Sequence, residues 1–334
     1  MTRPINQQWR LAAHPVGLIR PGDFQLTSEP VPDLGDGEVL VASRFLSLDP
    51  TNRIWANGAE SYLPPVAIGD VMRGVGVGVV EESRNSAFPV GTVVEGVLGW
   101  QRYARSDGRF LSRAVSYRDV PLERYLGIAR HILLTAYFGL TEVAPGKSGE
   151  MLVVSAAAGA VGSLAGQIGR LRGMRVVGIA GGLAKCRWLT ELGFDAAIDY
   201  KSEDVDAALR RLCPGGIDVY FDNVGGAILD AVLGQMNVFG RVAICGLISG
   251  YNATASQPGP SNFANILMHR LRVQGFIVSD HYGRIEAALA EVVPWVDSGM
   301  LRWKMDVVEG IERMPVAVNK LFDGTNDGKL VVRV

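Results

Sequence analysis

Cysteine is scarce in this chain: Cys186, Cys213 and Cys245 are the three thiols among 334 residues. At those spacings they build neither a disulfide framework nor a four-thiolate zinc site. Net charge is nearly absent as well. Lys and Arg number 33 against 34 Asp and Glu, a formal −1, so there is no basic field to draw nucleic acid or an anionic membrane surface. Nor do aromatics interleave with a basic cluster, and neither kind of partner is expected. Met1–Ala13 carries Arg3 and Arg10 and no apolar h-region, which is not the pattern of a signal peptide. Lys329–Val334 carries no lipidation or sorting motif. One long uncharged run, Met151–Gly169, approaches the length of a membrane span. It contains Gly159, Gly162, Gly166, Gly169, Ser155, Ser163 and Gln167, and opens like a strand, so a buried strand–turn–helix fits it better. A cytoplasmic protein is expected.

What the chain has in excess is glycine, 41 residues, about one in eight against a usual ~7%. With 48% apolar and 20% charged residues the composition is that of a folded chain, and its length predicts two domains. The first third reads as short β-branched runs bounded by turn signals: Val39–Ser43, the alternating Val75–Val80 and Gly91–Val97. A β-rich unit with bulges or close backbone approaches at its internal glycines is predicted there. From about Leu122 the pattern changes to alternating strand and helix. Strands are predicted at Met151–Ser155, Arg175–Ala180, Ala196–Asp199, Ile217–Asp222, Gly240–Cys245 and Val273–Val278, with helices of about ten to fifteen residues between them. Val161, Leu164, Ala165, Ile168 and Leu171 make one apolar helical stripe. The long connection Gly246–Arg272 is read as a Gly/Pro/Ser loop followed by an apolar helix near Phe263–Leu271, and Val307–Val334 as helix plus strand. Six strands with five connections suit a doubly wound nucleotide-binding domain.

Ala157-Ala158-Gly159-Ala160-Val161-Gly162 follows the strand Met151–Ser155 and opens a helix, a G-x-G-x-x-G variant with Ala157 in the first glycine place. The missing Cβ at Gly159 lets a pyrophosphate approach backbone N–H groups, the helix N-terminus adds partial positive charge, and Gly162 allows close helix–strand packing. An NAD site usually places Asp or Glu at the end of the second strand. This chain has Gly181-Gly182-Leu183-Ala184-Lys185 there, and its first acid is Glu191. Lys185 offers charge to a 2′-phosphate and Tyr200 a hydroxyl, which favours NADP. The plainer alternatives are a solvated helix lysine and a strand-end tyrosine. The first 185 residues contain no cysteine and only His14 and His131 as imidazoles, so the Cys/His ligands of a catalytic zinc are missing and a metal-independent reaction is expected. His131 and His281 read as ordinary polar residues.

A series of segments now carries a resemblance over nearly the whole length. They are Ser47-Leu48-Asp49-Pro50, Ser61-Tyr62-Leu63-Pro64-Pro65, Gly69–Gly74, Leu98-Gly99-Trp100-Gln101 and Thr135–Leu140. Ala156–Gly162, Asp222–Gly226, Cys245–Asn252, Gln274-Gly275-Phe276 and Gly328-Lys329 follow. The chain resembles the zinc-independent medium-chain dehydrogenase/reductases, in particular the leukotriene B4 12-hydroxydehydrogenase/prostaglandin reductase branch. The resemblance implies an α/β fold, with a Rossmann doubly wound parallel sheet (residues 123–299) inserted into a GroES-like β-rich catalytic domain (1–122 and 300–334). It also implies an active site in the cleft between them and homodimerisation through the cofactor domains. By residue-level match the NADP contacts are Gly159, Ala160, Val161, Gly162, Lys185, Tyr200, Asn223, Cys245, Gly246, Leu247, Ile248, Ser249, Tyr251, Phe276, Ile277, Val278 and Asn326.

The implied reaction passes a hydride from NADPH to the β-carbon of an α,β-unsaturated ketone or aldehyde and a proton to the α-carbon. Charge building on the substrate oxygen requires a hydrogen-bond donor. Tyr62 and Tyr251 are the candidates, each able to donate to an enolate or relay the proton; tyrosines that only wall a cleft, with water as donor, are the alternative. The chain departs from the branch in two places. Thr51-Asn52 replaces the usual Tyr-Met after Asp49-Pro50, and both residues are expected to line the substrate cleft. Arg130–Leu134 replaces the usual Gly-Met-Pro/Thr-Gly pattern. Two other readings remain open at this level, a quinone oxidoreductase of the same fold and a non-catalytic NADPH-binding protein.

Overall fold

The computed structural model describes residues 3–334; Met1 and Thr2, the start of the segment examined for a signal peptide, lie outside the described residues. The strands in chain order are β1 (Ile5–Leu11), β2 (Phe24–Pro30), β3 (Val39–Ser47), β4 (Val75–Ser83), β5 (Val93–Val97), β6 (Tyr103–Ser106), β7 (Leu111–Arg113), β8 (Met151–Val154), β9 (Arg175–Ala180), β10 (Ala196–Asp199), β11 (Ile217–Asp222), β12 (Met236–Ile244), β13 (Arg272–Gly275), β14 (Met305–Glu309) and β15 (Lys329–Arg333). They divide between two units. The first comprises the chain up to Ser116, Val120–Ala129 and Met305–Val334, and the second Tyr117–Asp119 and Arg130–Lys304.

In the first unit one seven-stranded sheet runs β14-β15-β3-β4-β5-β7, with β6 pairing β3, beside a β1–β2 hairpin. The chain's two ends meet inside this sheet, because β15 pairs antiparallel with β3 (Val331 opposite Ser47) and parallel with β14. Its core gathers Leu46, Leu48, Met72, Leu98, Trp100, Ile311, Met314, Leu330 and Val332. The expected bulge is present. The β3–β4 register shifts between Ser43 and Phe45, opposite Gly78 and Val77, and a Cβ on Gly78 would stand 2.4 Å from the Ala42 carbonyl oxygen.

In the second unit six parallel strands run β10-β9-β8-β11-β12-β13, so the order reverses between β8 and β11. Val153, Val177, Ile179, Val219 and Phe221 are fully buried, as strands covered on both faces require. β9, β10 and β11 have the predicted bounds. β12 starts earlier, at Met236, and ends at Ile244, while β13 pairs with it only from Arg272 to Gly275, so Phe276–Val278 leave the sheet. The crossover helices Ala160–Leu171, Leu183–Glu191, Val205–Leu212 and Gly226–Leu233 are eight to twelve residues long, shorter on the whole than predicted. In the predicted stripe Leu164, Ala165 and Ile168 are fully buried, whereas Leu171 at its end is exposed. The apolar segment near Phe263 is a 3-10 turn, Ser261–Ala264, and a short helix, Asn265–Met268. Asp230 takes the Asn262 N–H at 2.7 Å and the Ser261 hydroxyl where this segment starts, and Arg270, at φ +49°, stops it after Met268. Among the described residues no helix is long and apolar enough to cross a membrane.

Candidate functional site

Three turns at the carboxyl ends of β8, β11 and β12 are tied together in the second unit, at the place where open α/β sheets bind ligands. After β8 the chain bends sharply. Ala156 takes φ +46°, a left-handed conformation costly for a residue with a Cβ, and the Gly159 N–H returns to its carbonyl at 2.9 Å. Gly159 caps the helix Ala160–Leu171 without a side chain of its own, so the first-turn N–H groups face outward as unfilled donors. A Cβ on Gly162 would lie 2.4 Å from the Ala156 oxygen and 2.9 Å from the Ala157 Cα. The sequence permits this cradle because position 162 is glycine.

Asp222, at the end of β11, organises the second turn. Its Oδ1 accepts the Ser155 hydroxyl at 3.0 Å, the Tyr220 hydroxyl at 2.8 Å and the Val224 and Gly225 N–H groups at 2.9 Å. Burial raises this carboxyl above its ordinary value against the pull of those hydrogen bonds. Asn223 returns to the first turn, donating from Nδ2 to the Ser155 carbonyl at 2.7 Å and from its N–H to Ser155 Oγ at 2.9 Å. The third turn docks on the second. Cys245 and Gly246 donate their N–H groups to the Asp222 carbonyl, and Ser249 gives both N–H and hydroxyl to the Val224 carbonyl. Tyr251 Oη accepts the Leu247 N–H at 3.0 Å, which leaves its own O–H free to donate. Burial raises the Tyr251 phenol, and burial followed by the Asp222 charge raises the Cys245 thiol, so neither ionises at neutral pH.

At the end of β9, Gly182 has φ +93° and donates its N–H to the Asp199 carboxylate at 2.7 Å. That backbone bond is the chief reason the Asp199 carboxyl lies below its ordinary value. Asp199 also takes the Lys201 N–H at 3.1 Å. The sequence reading missed it because it sits on the third strand, not the second. Lys185, partly buried on the helix Leu183–Glu191, and exposed Tyr200 flank this turn. Phe276 is buried, and Ile277 and Val278 are partly buried where the chain leaves β13.

The remaining sequence-predicted residues belong to the first unit. Asn326 is buried and donates from Nδ2 to the Gly328 carbonyl at 2.9 Å. Ser47-Leu48-Asp49-Pro50 leads into the short helix Thr51–Trp55. Lys329, only 3% exposed, places Nζ 2.5 Å from Asp49 Oδ1 and 3.1 Å from the Leu48 carbonyl, and the Ser47 hydroxyl also donates to Asp49. Thr51 is partly exposed. Asn52 corrects the sequence reading: its side chain is fully buried, its Oδ1 takes the Asp49 N–H at 2.8 Å and its Nδ2 donates to the Arg73 carbonyl at 3.1 Å. An amide committed to backbone at both ends holds the helix in place and has no free face for a substrate. Tyr62 is 42% exposed on the loop that follows. Its neighbour Arg73 lines a recess of about 240 Å³ with Pro65, Val66, Val71 and Val97. Sequence reasoning singled out neither Arg73 nor Asp222.

Both histidines set aside in the sequence lie in the second unit. His281 stacks on Phe138 with ring centroids 4.8 Å apart and pairs with Glu142 at 2.9 Å, and His131 is the second residue of the helix Arg130–Phe138. That helix buries Ile132, Leu133 and Leu134, so three of the five residues of the Arg130–Leu134 departure are core residues. No three His, Cys, Asp or Glu side chains among the described residues gather as a metal site.

Residues 7–114 match the family described as the N-terminal domain of oxidoreductase, and residues 160–297 the one described as zinc-binding dehydrogenase. The chain is 42% identical to the NADPH-dependent curcumin reductase of Escherichia coli (strain K12), over 98% of this chain and 97% of that one. The chain belongs to the medium-chain dehydrogenase/reductase family. This medium-chain dehydrogenase/reductase is also 44% identical to the prostaglandin reductase 1 of Mus musculus, over 98% of both chains. It superposes on the crystal structure of CurA in complex with NADPH from Vibrio vulnificus with a TM-score of 0.91 at 41% identity, covering 98% of this chain and 99% of that one. The α/β fold expected from the sequence, a parallel doubly wound sheet beside a separate antiparallel β unit, is thus the fold of the family.

Proposed function

We propose that this chain reduces the carbon–carbon double bond of α,β-unsaturated ketones and aldehydes with NADPH and without a metal ion. The observation that carries the reading is the knitted set of turns around Gly159, Asp222 and Gly246 in a chain more than 40% identical, end to end, to an NADPH-dependent curcumin reductase and a prostaglandin reductase. The cradle fits the cofactor: a Cβ at Gly162 would displace the Ala156 carbonyl, and the helix N-terminus behind Gly159 presents N–H donors to a pyrophosphate. Gly159, Ala160, Val161 and Gly162 hold the diphosphate, Lys185 offers its ammonium to the 2′-phosphate, and the Asn223 and Cys245–Tyr251 turns complete the wall. When bound, NADPH supplies the hydride for the β-carbon.

The chain's own task is then to stabilise charge on the substrate oxygen and to move one proton. Tyr62 and Tyr251 are the donors. Burial keeps the Tyr251 phenol protonated, and its oxygen is already oriented by the Leu247 N–H. Thr51 offers a second hydroxyl.

Assembly is part of the same reading. β13 ends the parallel sheet, all four of its residues are exposed, and Val238, Phe239, Phe263, Leu267 and Met268 form an exposed apolar group around it. An open edge beside apolar side chains suits a second copy of the chain, hence a homodimer. Three free cysteines suit the reducing cytoplasm.

The test is NADPH oxidation with a panel of trans-2-alkenals, benzalacetone-type ketones and curcumin, with the saturated product identified. Tight NADPH binding without turnover on any of them overturns the proposal. Tyr62→Phe and Tyr251→Phe then assign the donor, which is expected to lose about 10²-fold in kcat.

A further inference from the structure

Arg73 lines the recess beside the Tyr62 loop. It has no carboxylate within ion-pair distance, yet it is partly buried. Burial lowers its guanidinium below the ordinary arginine value, and the Tyr62 phenol opposes that shift. A desolvated cation without a counter-ion is costly unless it has a task. Its contacts show what that task is. The Arg73 carbonyl accepts from Asn52 Nδ2 at 3.1 Å, and the guanidinium carbon lies 5.5 Å from the centroid of the Trp55 ring. Both partners belong to the helix Thr51–Trp55. From the other side of the same residue, Nη1 donates to the Pro64 carbonyl at 2.8 Å, two residues from Tyr62.

We propose that Arg73 is a positioning residue for the reduction: it brackets the Tyr62 loop to the Thr51–Trp55 helix and holds a positive charge beside the Tyr62 phenol. The inference rests on the reading of Tyr62 as a donor. A planar guanidinium suits the role, because it stacks on Trp55 while its N–H groups reach a carbonyl in plane. The adjacent cation favours electron density on the phenol oxygen when Tyr62 gives up its proton. Other charged groups nearby are Asp70, on the rim of the same recess, and Glu60 in the loop; both are exposed, and neither pairs with Arg73. Asn52 holds the Arg73 main chain, so substitution of the side chain leaves that bond in place.

The experiment is a double-mutant cycle on the full chain with Arg73→Met, Arg73→Lys and Tyr62→Phe. Arg73→Met is expected to lower kcat about tenfold with NADPH affinity unchanged, and Arg73→Lys to recover part of the loss. In the Tyr62→Phe background Arg73→Met is expected to cost little more, because it acts through a group already removed. Losses that multiply, or parent kcat in Arg73→Met, overturn the proposal. Hydrogen exchange provides a readout independent of turnover: the amides of Glu60–Val66 exchange faster in Arg73→Met than in the parent. If Tyr62→Phe keeps parent activity, the donor reading fails alone and exchange still decides the bracket. Unchanged exchange in Arg73→Met refutes the bracket, whatever the kinetics. Should Arg73→Met not fold, Arg73→Lys, which keeps the charge but not the planar fork, carries the same comparisons.

Discussion

Replacing Gly162 with alanine presses on the cofactor cradle from inside. The added Cβ would meet the Ala156 oxygen at 2.4 Å, the Ala157 Cα at 2.9 Å and the Ala156 carbonyl carbon at 3.0 Å. All three are backbone atoms, and the first contact is about 1 Å short of ordinary van der Waals distance. No side chain can swing aside, so the turn must open or the helix must slide. Overpacking of this kind costs about 1–3 kcal/mol, while alanine regains up to ~1 kcal/mol of helix propensity over glycine. A net loss of about 1–2 kcal/mol remains. In a unit the size of the second, that lowers the Tm of its transition by about 2–8 °C. In the proposed cofactor placement the displaced turn also carries the N–H groups that would face the diphosphate. Losing one charge-assisted hydrogen bond, at about 1.5–3 kcal/mol, weakens NADPH binding by at least about tenfold.

Gly159→Ala is the comparison. Gly159 has φ −75°, open to any residue, and its Cβ would meet only the Ala156 oxygen, at 3.1 Å. Its melting temperature is expected to stay near the parent's while NADPH affinity falls, because the methyl group intrudes on the approach to the backbone. Thermal melts and fluorescence titration with NADPH measure both quantities. Parent-like Tm and Kd in Gly162→Ala, or parent-like Kd in Gly159→Ala, refute the account of this turn.

Three further outcomes follow from the geometry. Lys185→Ala raises the KM for NADPH by about 10–100-fold and leaves the KM for NADH nearly unchanged, a ratio read from initial rates. Lys329→Met strands the Asp49 charge and destabilises the first unit by about 3–5 kcal/mol in denaturant titration, whereas a further Asp49→Leu change recovers much of the loss. Sedimentation of the parent gives about twice the 35.9 kDa chain mass, and Leu267→Glu with Val273→Lys shifts it toward the monomer.

The parallel sheet was legible in the sequence because its signals are local. β9, β10 and β11 are apolar runs closed by turn residues, and burial on both faces demands such runs. The β-rich unit was legible only in part. β1 was invisible because its inward residues are polar: Asn6 and Gln8 are buried and bond to each other at 3.1 Å, while Asn6 also reaches Gln101 at 3.0 Å. Alternation of apolar and polar residues cannot reveal a strand whose buried face is an amide network. The helix expected near Phe263 is cut short for a different reason: the chain turns at Arg270, whose φ of +49° no right-handed helix accommodates. In the site, glycine spacing located the cradle, since only glycine fits where backbone must approach backbone. Asn52 was misread because a polar residue near a presumed cleft looks the same in sequence whether its amide faces a substrate or the backbone.

The sequence by itself determined the alternation of strand and helix, the glycine turn after the first parallel strand and the cation in place of the usual acid after the second. These are properties of residue type over short spans, where steric and hydrogen-bonding rules act between near neighbours. Tertiary structure decided the rest. It set Lys329 against Asp49 across 280 positions, joined β15 to β3 so that both chain ends share a sheet, and gathered Ser155, Asp222 and Cys245 into one hydrogen-bonded wall. It also turned Arg73 toward two segments that the sequence keeps apart. Such pairings exist only once the cores have formed, because burial selects which distant polar groups must satisfy one another.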